Sequence, residues 1–123
     1  MKILPDTHAL LWWTEDSPRL SKRAGALLED HTNPLLFSAA VEWEVRNKVA
    51  LGKLAVADGF NFIDEAGVVM LSITHAHAAT AAALPYHHRD PFDRLLIAQA
   101  QLEDAVIVTA DPAFAAYDVR VAW

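Results

Sequence analysis

Cysteine and long apolar runs are the clearest absences from this sequence of 123 residues. Without cysteine, neither a disulfide framework nor a thiolate metal site can form, which is typical of a reducing compartment. No stretch approaches the roughly 20 apolar residues of a transmembrane helix. Pro5, Asp6 and His8 interrupt the apolar N-terminus, which therefore lacks the layout of a signal peptide. We expect one domain over residues 1–123, located in the cytoplasm and without a membrane partner.

Positive charge is also scarce. Lys and Arg together number 10 against 16 Asp and Glu, which gives a formal net charge of −6. This balance argues against a protein surface that binds nucleic acid directly. The argument reverses if several acids hold divalent cations, because bound ions then become the largest local charges.

Short apolar runs alternate with longer helical segments along the chain. The predicted strands are Lys2–Leu4, Leu35–Ser38, Val68–Ile73, Val106–Thr109 and Val119–Val121. The predicted helices are His8–Trp13 with Thr7 as its cap, Ser21–Glu29, Ala39–Leu51, Asp58–Ala66, Thr74–Leu84 and Asp90–Glu103. Strands that are apolar throughout and separated by helices are typical of a parallel sheet covered on both faces. We therefore predict an α/β fold, a three-layer α/β/α sandwich around a mostly parallel sheet of about five strands.

Four acidic residues fall where such a sheet would gather them. Asp6 follows the first strand, Asp111 follows the fourth, and Glu44 and Asp93 stand near the starts of helices. The carboxyl ends of parallel strands and the starts of the helices that follow them share one rim, where open α/β sheets bind ligands. Carboxylates gathered there repel each other unless a cation lies among them. A set of oxygen ligands suits Mg²⁺ or Mn²⁺.

Several acids near these strand ends and helix starts also have a purely structural interpretation. Asp6 could accept hydrogen bonds from the amides of the following helix, and Asp111, before a proline, could be a turn residue. Asp90 is a good N-cap, again before a proline. For these residues, both the structural interpretation and a role in the site stay open at this point.

The helical pattern leaves a second ambiguity, between Glu42 and Glu44. Both flank the apolar stripe of their helix, and Glu44 could simply pair with Lys48 four residues on. Asp93 is different, because it is in phase with the apolar residues that follow it, and an acid with only a dipole role would point outward. The pattern therefore favours a functional Asp93.

Four segments form a linked set in chain order: DTHALLWW at 6–13, SAAVEWEVRNKVALGKL at 38–54, HRDPFDRLLIAQA at 88–100 and VIVTAD at 106–111. Together they resemble the PIN-domain ribonucleases, specifically the VapC-type toxins of bacterial toxin–antitoxin pairs. The resemblance implies a parallel five-stranded sheet with an acidic pocket that binds Mg²⁺ or Mn²⁺. It also implies endonucleolytic cleavage of single-stranded or loop RNA and inhibition by a cognate antitoxin.

The resemblance further implies roles for individual residues. The acids that it makes catalytic and metal-binding are Asp6, Glu44, Asp93 and Asp111, so that it favours Glu44 over Glu42. We expect Thr7, Thr109 and Asp90 to support these acids by hydrogen bonding.

Two positions depart from the family pattern. Pro5 stands where an aliphatic residue is usual and removes a backbone donor next to Asp6. Glu42 stands where serine is commoner. The alternative function is therefore a PIN-like binding module with impaired catalysis, which acts by associating with protein or RNA.

Basic residues are concentrated near the acids in sequence. The predicted RNA-binding residues are Arg46, Lys48, Arg89 and Arg94. The competing interpretation is ordinary pairing on helix surfaces, Glu44 with Lys48 and Asp90 with Arg94. His88 directly precedes the RDPFD turn at 89–93 and is a candidate substrate contact.

Hydrophobic residue types make up 54% of the chain. This apolar composition suggests a homodimer and a groove that accepts an amphipathic antitoxin helix. We expect Trp12, Trp13 and Trp43 in the core or at dimer contacts rather than on RNA bases.

Overall fold

Five parallel strands form one sheet in the computed structural model, which describes residues 1–56, 59–65 and 67–123. The strands are β1 (Ile3–Pro5), β2 (Leu35–Ser38), β3 (Val68–Leu71), β4 (Val106–Val108) and β5 (Arg120–Ala122). Their order across the sheet is β3-β2-β1-β4-β5, and every strand pair is parallel. The predicted fold class is confirmed.

Helices connect successive strands. They are α1 (Thr7–Thr14), α2 (Lys22–Glu29), α3 (Ala39–Ala50), α4 (His75–Ala83) and α5 (Pro91–Glu103), with 3₁₀ helices at Asn61–Asp64 and Pro112–Ala116. Because crossovers between parallel strands are right-handed, the strand order assigns α1 to α3 to one face of the sheet and α4 and α5 to the other. The largest fully buried side chains of the core include Ile3, Leu4, Phe37, Ile97, Ile107 and Phe114.

Two local predictions need correction. Asp6, not Thr7, is the N-cap of α1, because the Asp6 backbone is extended and its side chain accepts the N–H of Ala9. The helix predicted for Asp58–Ala66 begins and ends at residues outside the described part of the chain, and between them only the 3₁₀ helix forms. Gly67 then turns the chain into β3 at a φ of +86°.

The strand order places a crevice at the middle of the sheet. From β1 the chain moves outward to β2 and β3, then returns across the sheet to β4 on the other side of β1. The carboxyl ends of β1 and β4 therefore flank the topological switch point, where ligands bind in open α/β sheets. Across the described residues, the structure contains no helix whose length and apolar character would let it cross a membrane.

Candidate active site

An open cavity of about 430 Å³ lies at the carboxyl ends of β1 and β4. Its lining consists of Asp6, Thr7, His8, Glu44, Lys48, His88, Asp90, Phe92, Asp93 and Asp111. The structure thus brings together all four acids that the sequence selected, from four separate segments of the chain. Two of the three expected supporting residues, Thr7 and Asp90, border the same cavity.

Asp6 is held at the end of β1 through its backbone N–H and both of its carboxylate oxygens. Its backbone N–H donates to the carbonyl of Val108 at 3.1 Å, and its Oδ1 accepts the N–H of Ala9 at 2.9 Å. Its Oδ2 accepts the hydroxyl of Thr109 at 2.5 Å. Burial raises the pKa of Asp6, against the lowering effect of the hydrogen bonds from Thr109 and Ala9. The capping interpretation of Asp6 is therefore correct as far as it goes, and each carboxylate oxygen keeps a further lone pair.

Asp93 lies in the first turn of α5 and is half-buried. Burial, followed by repulsion from Asp90, Asp6 and Glu44, raises its pKa to about 7, and His88 opposes the rise. The repulsion shows that the acids from β1, α3 and α5 act on one another electrostatically. A cation placed among them would offset both the burial of the Asp93 charge and its repulsion by the other acids.

The structure separates Glu44 from Glu42. Glu44 borders the cavity, and its Oε2 lies 3.4 Å from the Nζ of Lys48. Glu42 accepts the Nε–H of Arg46 at 2.7 Å and is not part of the cavity lining. Two acids that the helical pattern could not distinguish thus have different environments.

A buried hydrogen bond ties the helix that carries Glu44 to the helix that carries Asp93. Ser38 caps α3 by accepting the N–H of Ala40, and its hydroxyl donates to the side-chain oxygen of Gln99 on α5 at 2.6 Å. Both side chains are 0% exposed. This contact links the start of α3 to α5, the two helices that carry these acids.

Asp90 and Asp111 each cap a helix with one oxygen. Asp90 Oδ1 accepts the N–H groups of Phe92 and Asp93, and Asp111 Oδ1 accepts the N–H of Ala113. The Asp111 N–H in turn donates to the Thr109 hydroxyl at 3.0 Å. Thr109 therefore connects Asp6 and Asp111, and the Oδ2 atom of each cap remains for the cavity.

Among the site residues, His88 is the one for which the sequence gave the weakest indication of a role. Its Nε2 lies 2.8 Å from Asp93 Oδ2 and 3.7 Å from Asp111 Oδ2. The only sequence signal was its place before the RDPFD segment, which suggested a substrate contact. Potential donor atoms of His88, Asp93 and Asp111 all lie within 4.8 Å of one another. A cavity this rich in carboxylates fits a divalent cation.

The predicted RNA-binding residues do not form one group. Lys48 borders the cavity, Arg46 is paired with Glu42 and stacks over the Phe60 ring at 4.1 Å, and Arg89 is exposed outside the cavity lining. One of them, Arg94, needs a full correction.

Arg94 is 6% exposed and cannot face RNA. Its guanidinium donates to the carbonyls of Ala81, Leu84 and Pro85, each at 2.9 Å, and lies over the Tyr86 ring. The ion pair with Asp90, which was the competing interpretation, is not among the ion pairs of the described residues either. Arg94 is buried because the connection from α4 to α5 leaves carbonyls that need donors.

The tryptophans have different environments. Trp13 is half-buried against Phe62 and packs on the core, and Trp12 is half-buried between His8 and Trp123. Trp43 is 58% exposed and its ring lies 5.2 Å from that of Phe92. Only Trp43 therefore extends largely into solvent.

The fold and the cavity define the class of this protein: a parallel α/β protein with a carboxylate-lined site at its topological switch point. The sequence matches the PIN domain over residues 3–120. The chain therefore belongs to the PIN domain family, a family of nucleases. The resemblance seen in the sequence is confirmed at this level.

Solved structures share the fold across nearly the whole chain. VapBC2 from Rickettsia felis, bound to a DNA fragment from their promoter, is 15% identical, with 100% of this chain and 99% of that chain covered and a TM-score of 0.76. FitAcB from Neisseria gonorrhoeae is 22% identical, with coverage of 97% and 95% and a TM-score of 0.67. FitAB bound to an IR36 DNA fragment is 24% identical, with coverage of 98% and 93% and a TM-score of 0.68. No curated protein matches the sequence.

Proposed function

We propose that the protein is a VapC-type toxin, a Mg²⁺- or Mn²⁺-dependent endoribonuclease that hydrolyses phosphodiester bonds in single-stranded or loop RNA. The observation that carries the proposal is that Asp6, Glu44, Asp93 and Asp111 border one cavity. The raised pKa values of Asp6 and Asp93 support it, because ionised acids in such a site gain most from a nearby cation.

The same acids are the residues that would hold the cation. A bound Mg²⁺ or Mn²⁺ supplies a water of lowered pKa and stabilises the charge on the leaving oxygen. The Thr109 hydroxyl donates to the Asp6 carboxylate and accepts the backbone N–H of Asp111, which connects the ends of two neighbouring strands at the site. Lys48 contributes positive charge at the edge of the cavity, where a phosphate group would approach.

Neither departure from the family pattern reaches the acids. Pro5 lies within β1, but the N–H of Asp6 still bonds to β4. Glu42 is neutralised by Arg46 away from the cavity. A binding module with impaired catalysis therefore has no structural observation in its favour, and it remains an outcome of the experiment below.

The partner we propose is a cognate antitoxin, by analogy with VapBC2 and FitAB, together with a second copy of the chain. Large exposed apolar side chains, including Trp43 at 58% and Leu51 at 62%, give the surface the apolar area that such contacts need. Light scattering measures both associations. The chain alone tests the homodimer, and the chain co-expressed with the product of the neighbouring open reading frame tests the antitoxin complex. A monomer under both conditions would contradict this part of the proposal.

Cleavage of a single-stranded RNA tests the enzyme. The wild-type protein should cut in Mg²⁺ or Mn²⁺ and not in EDTA, and Asp6→Asn and Asp93→Asn should lower the rate by at least about 100-fold. The matched pair Glu44→Gln and Glu42→Gln gives the sharpest comparison, because the two positions share a helix and differ in access to the cavity. Only Glu44→Gln should lose activity.

The outcomes separate the two functions. Undiminished metal-dependent cleavage by both aspartate variants would overturn the proposed site. Absence of cleavage by the wild-type protein, together with retained binding to RNA or to the antitoxin, would favour the binding module.

A further inference from the structure

His88 is held firmly in the connection between α4 and α5. Its backbone N–H donates to the hydroxyl of Tyr117 at 2.8 Å, and its ring packs edge-on against Phe114 at 5.9 Å. Its side chain is 17% exposed. The ring is therefore a fixed part of the cavity wall rather than a mobile surface group.

Hydrogen bonding determines which ring nitrogen carries the proton. The backbone N–H of Asp90 donates to His88 Nδ1 at 3.3 Å, so Nδ1 uses its lone pair as an acceptor. In a neutral imidazole the proton then lies on Nε2. Nε2 is thus a donor and has no free lone pair with which to ligate a metal.

That donor is buried between two of the acids. Nε2 lies 2.8 Å from Asp93 Oδ2 and 3.7 Å from Asp111 Oδ2, yet it has no hydrogen bond of good geometry with any described residue. A buried donor without a hydrogen bond destabilises the folded state, and this cost falls if either carboxylate rotates toward it. No other nitrogen of the described chain forms ion-pair contacts with two of the cavity acids.

We propose that His88 is a positioning residue that orients the cavity acids for cation binding by donating its Nε2–H to Asp93 Oδ2, with Asp111 Oδ2 as the alternative acceptor. The inference rests on the proposed metal-dependent function. It extends that function by adding a hydrogen-bond donor to a site otherwise described by its acids. Carboxylates that ligate metals are commonly fixed by such outer hydrogen bonds, and loss of one typically costs 10-fold to 100-fold in metal affinity.

Calorimetric titration of the full chain with Mn²⁺ tests the proposal. His88→Phe keeps a ring but removes the donor, and should weaken Mn²⁺ binding by at least about 10-fold. His88→Gln presents an amide N–H near the position of Nε2 and should stay within about 3-fold of wild type. His87→Phe is the matched control, because His87 is exposed and contacts Tyr117 outside the cavity lining, and it should bind Mn²⁺ as wild type does.

Electron spin echo spectroscopy of the Mn²⁺-loaded wild-type protein gives an independent measure that needs no variant. Because His88 is placed outside the ligand set, no ¹⁴N coupling of a directly bound imidazole is expected. Such a coupling, if lost in His88→Gln, would make His88 a ligand and overturn the proposal. Equal Mn²⁺ affinity in wild type and a folded His88→Phe would also overturn it, whereas no Mn²⁺ binding by wild type would instead refute the proposed function.

Discussion

Among single side chains, Asp93 carries the clearest energetic cost. Its pKa is raised from 3.8 to about 7 by burial and by the neighbouring acids. Between these values the folded protein holds a proton that the unfolded chain has released, so the free energy of unfolding falls as pH rises through this window. Above about pH 7 both states are ionised and the full cost is present. The raised pKa of Asp6 also lowers the free energy of unfolding as pH rises.

We predict that Asp93→Asn stabilises the metal-free protein at high pH. One pKa unit corresponds to about 1.4 kcal/mol, and because the Asp93 side chain is partly exposed, solvent screens the repulsion, so we expect a net gain of about 2 kcal/mol at pH 8, well below the full value of the shift. The gain should disappear below about pH 4, where both states are protonated. Urea unfolding in EDTA from pH 4 to 8 measures it.

The exposed variant Asp118→Asn is the control and should show no such pH dependence. An Asp93→Asn protein that is less stable than wild type at pH 8 would show that ionised Asp93 is not under repulsion in the metal-free cavity.

Arg94 has the opposite character, since it is a buried cation that is used as a structural donor. We predict that Arg94→Met destabilises the protein by about 3 kcal/mol or more, because the carbonyls of Ala81, Leu84 and Pro85 lose their donors. The urea midpoint measures the loss. Arg89→Met, at an exposed position, should change stability by less than about 0.5 kcal/mol. A stable Arg94→Met with weakened RNA binding would restore the interpretation of Arg94 as an RNA contact.

The sequence could place the acids at the strand ends in the site, but it could not place Arg94 and His88. Asp6 and Asp111 were located because each follows a short apolar strand, and the carboxyl ends of parallel strands share a rim. Arg94 and His88 could not be located in this way. Their positions depend on which carbonyls and carboxylates the folded connection between α4 and α5 leaves without partners, and this is a property of tertiary packing.

Among the elements, β1 and β4 together determine where Asp6 lies. β1 pairs with β4 from Ile3 to Pro5, whereas it pairs with β2 at Ile3 and Leu35. Pro5 lacks an N–H, but the next N–H, that of Asp6, bonds to Val108. We predict that Pro5→Ile leaves the Mn²⁺ affinity within about two-fold of wild type. A gain of ten-fold or more in calorimetry would mean that the proline displaces Asp6 from its best position.

Thr109 should matter far more than Pro5, although both stand at strand ends. Thr109→Val keeps the shape but removes the donor to Asp6 Oδ2 and the acceptor of the Asp111 N–H. We predict a 10-fold to 100-fold loss of Mn²⁺ affinity, with Thr109→Ser near wild type. Thr14→Val, at the end of α1, is the control. Equal binding by Thr109→Val would mean that Asp6 and Asp111 need no support from this hydroxyl.

The order of the elements was predictable and their lateral arrangement was not. Apolar strands bounded by helix caps such as Asp90 give the succession of elements. The order β3-β2-β1-β4-β5 depends on which strands pair across long distances in sequence, and a local pattern carries no such information. The cap of α1 was misplaced by one residue because both Asp6 and Thr7 are residues that cap helices well.

For the molecule as a whole, the net charge of −6 makes folding and cation binding interdependent. We predict that Mn²⁺ at 100 times its dissociation constant stabilises wild type by about 2.7 kcal/mol, and that Asp6→Asn loses most of this gain while Glu42→Gln keeps it. Thermal unfolding at constant ionic strength is the measurement, because NaCl also screens repulsion between exposed acids. The stabilisation should saturate with Mn²⁺ concentration, as binding at a defined site requires. A shift that grows without saturation, or one that is equal in Asp6→Asn, would show that Mn²⁺ acts only as general counter-charge and not through the cavity.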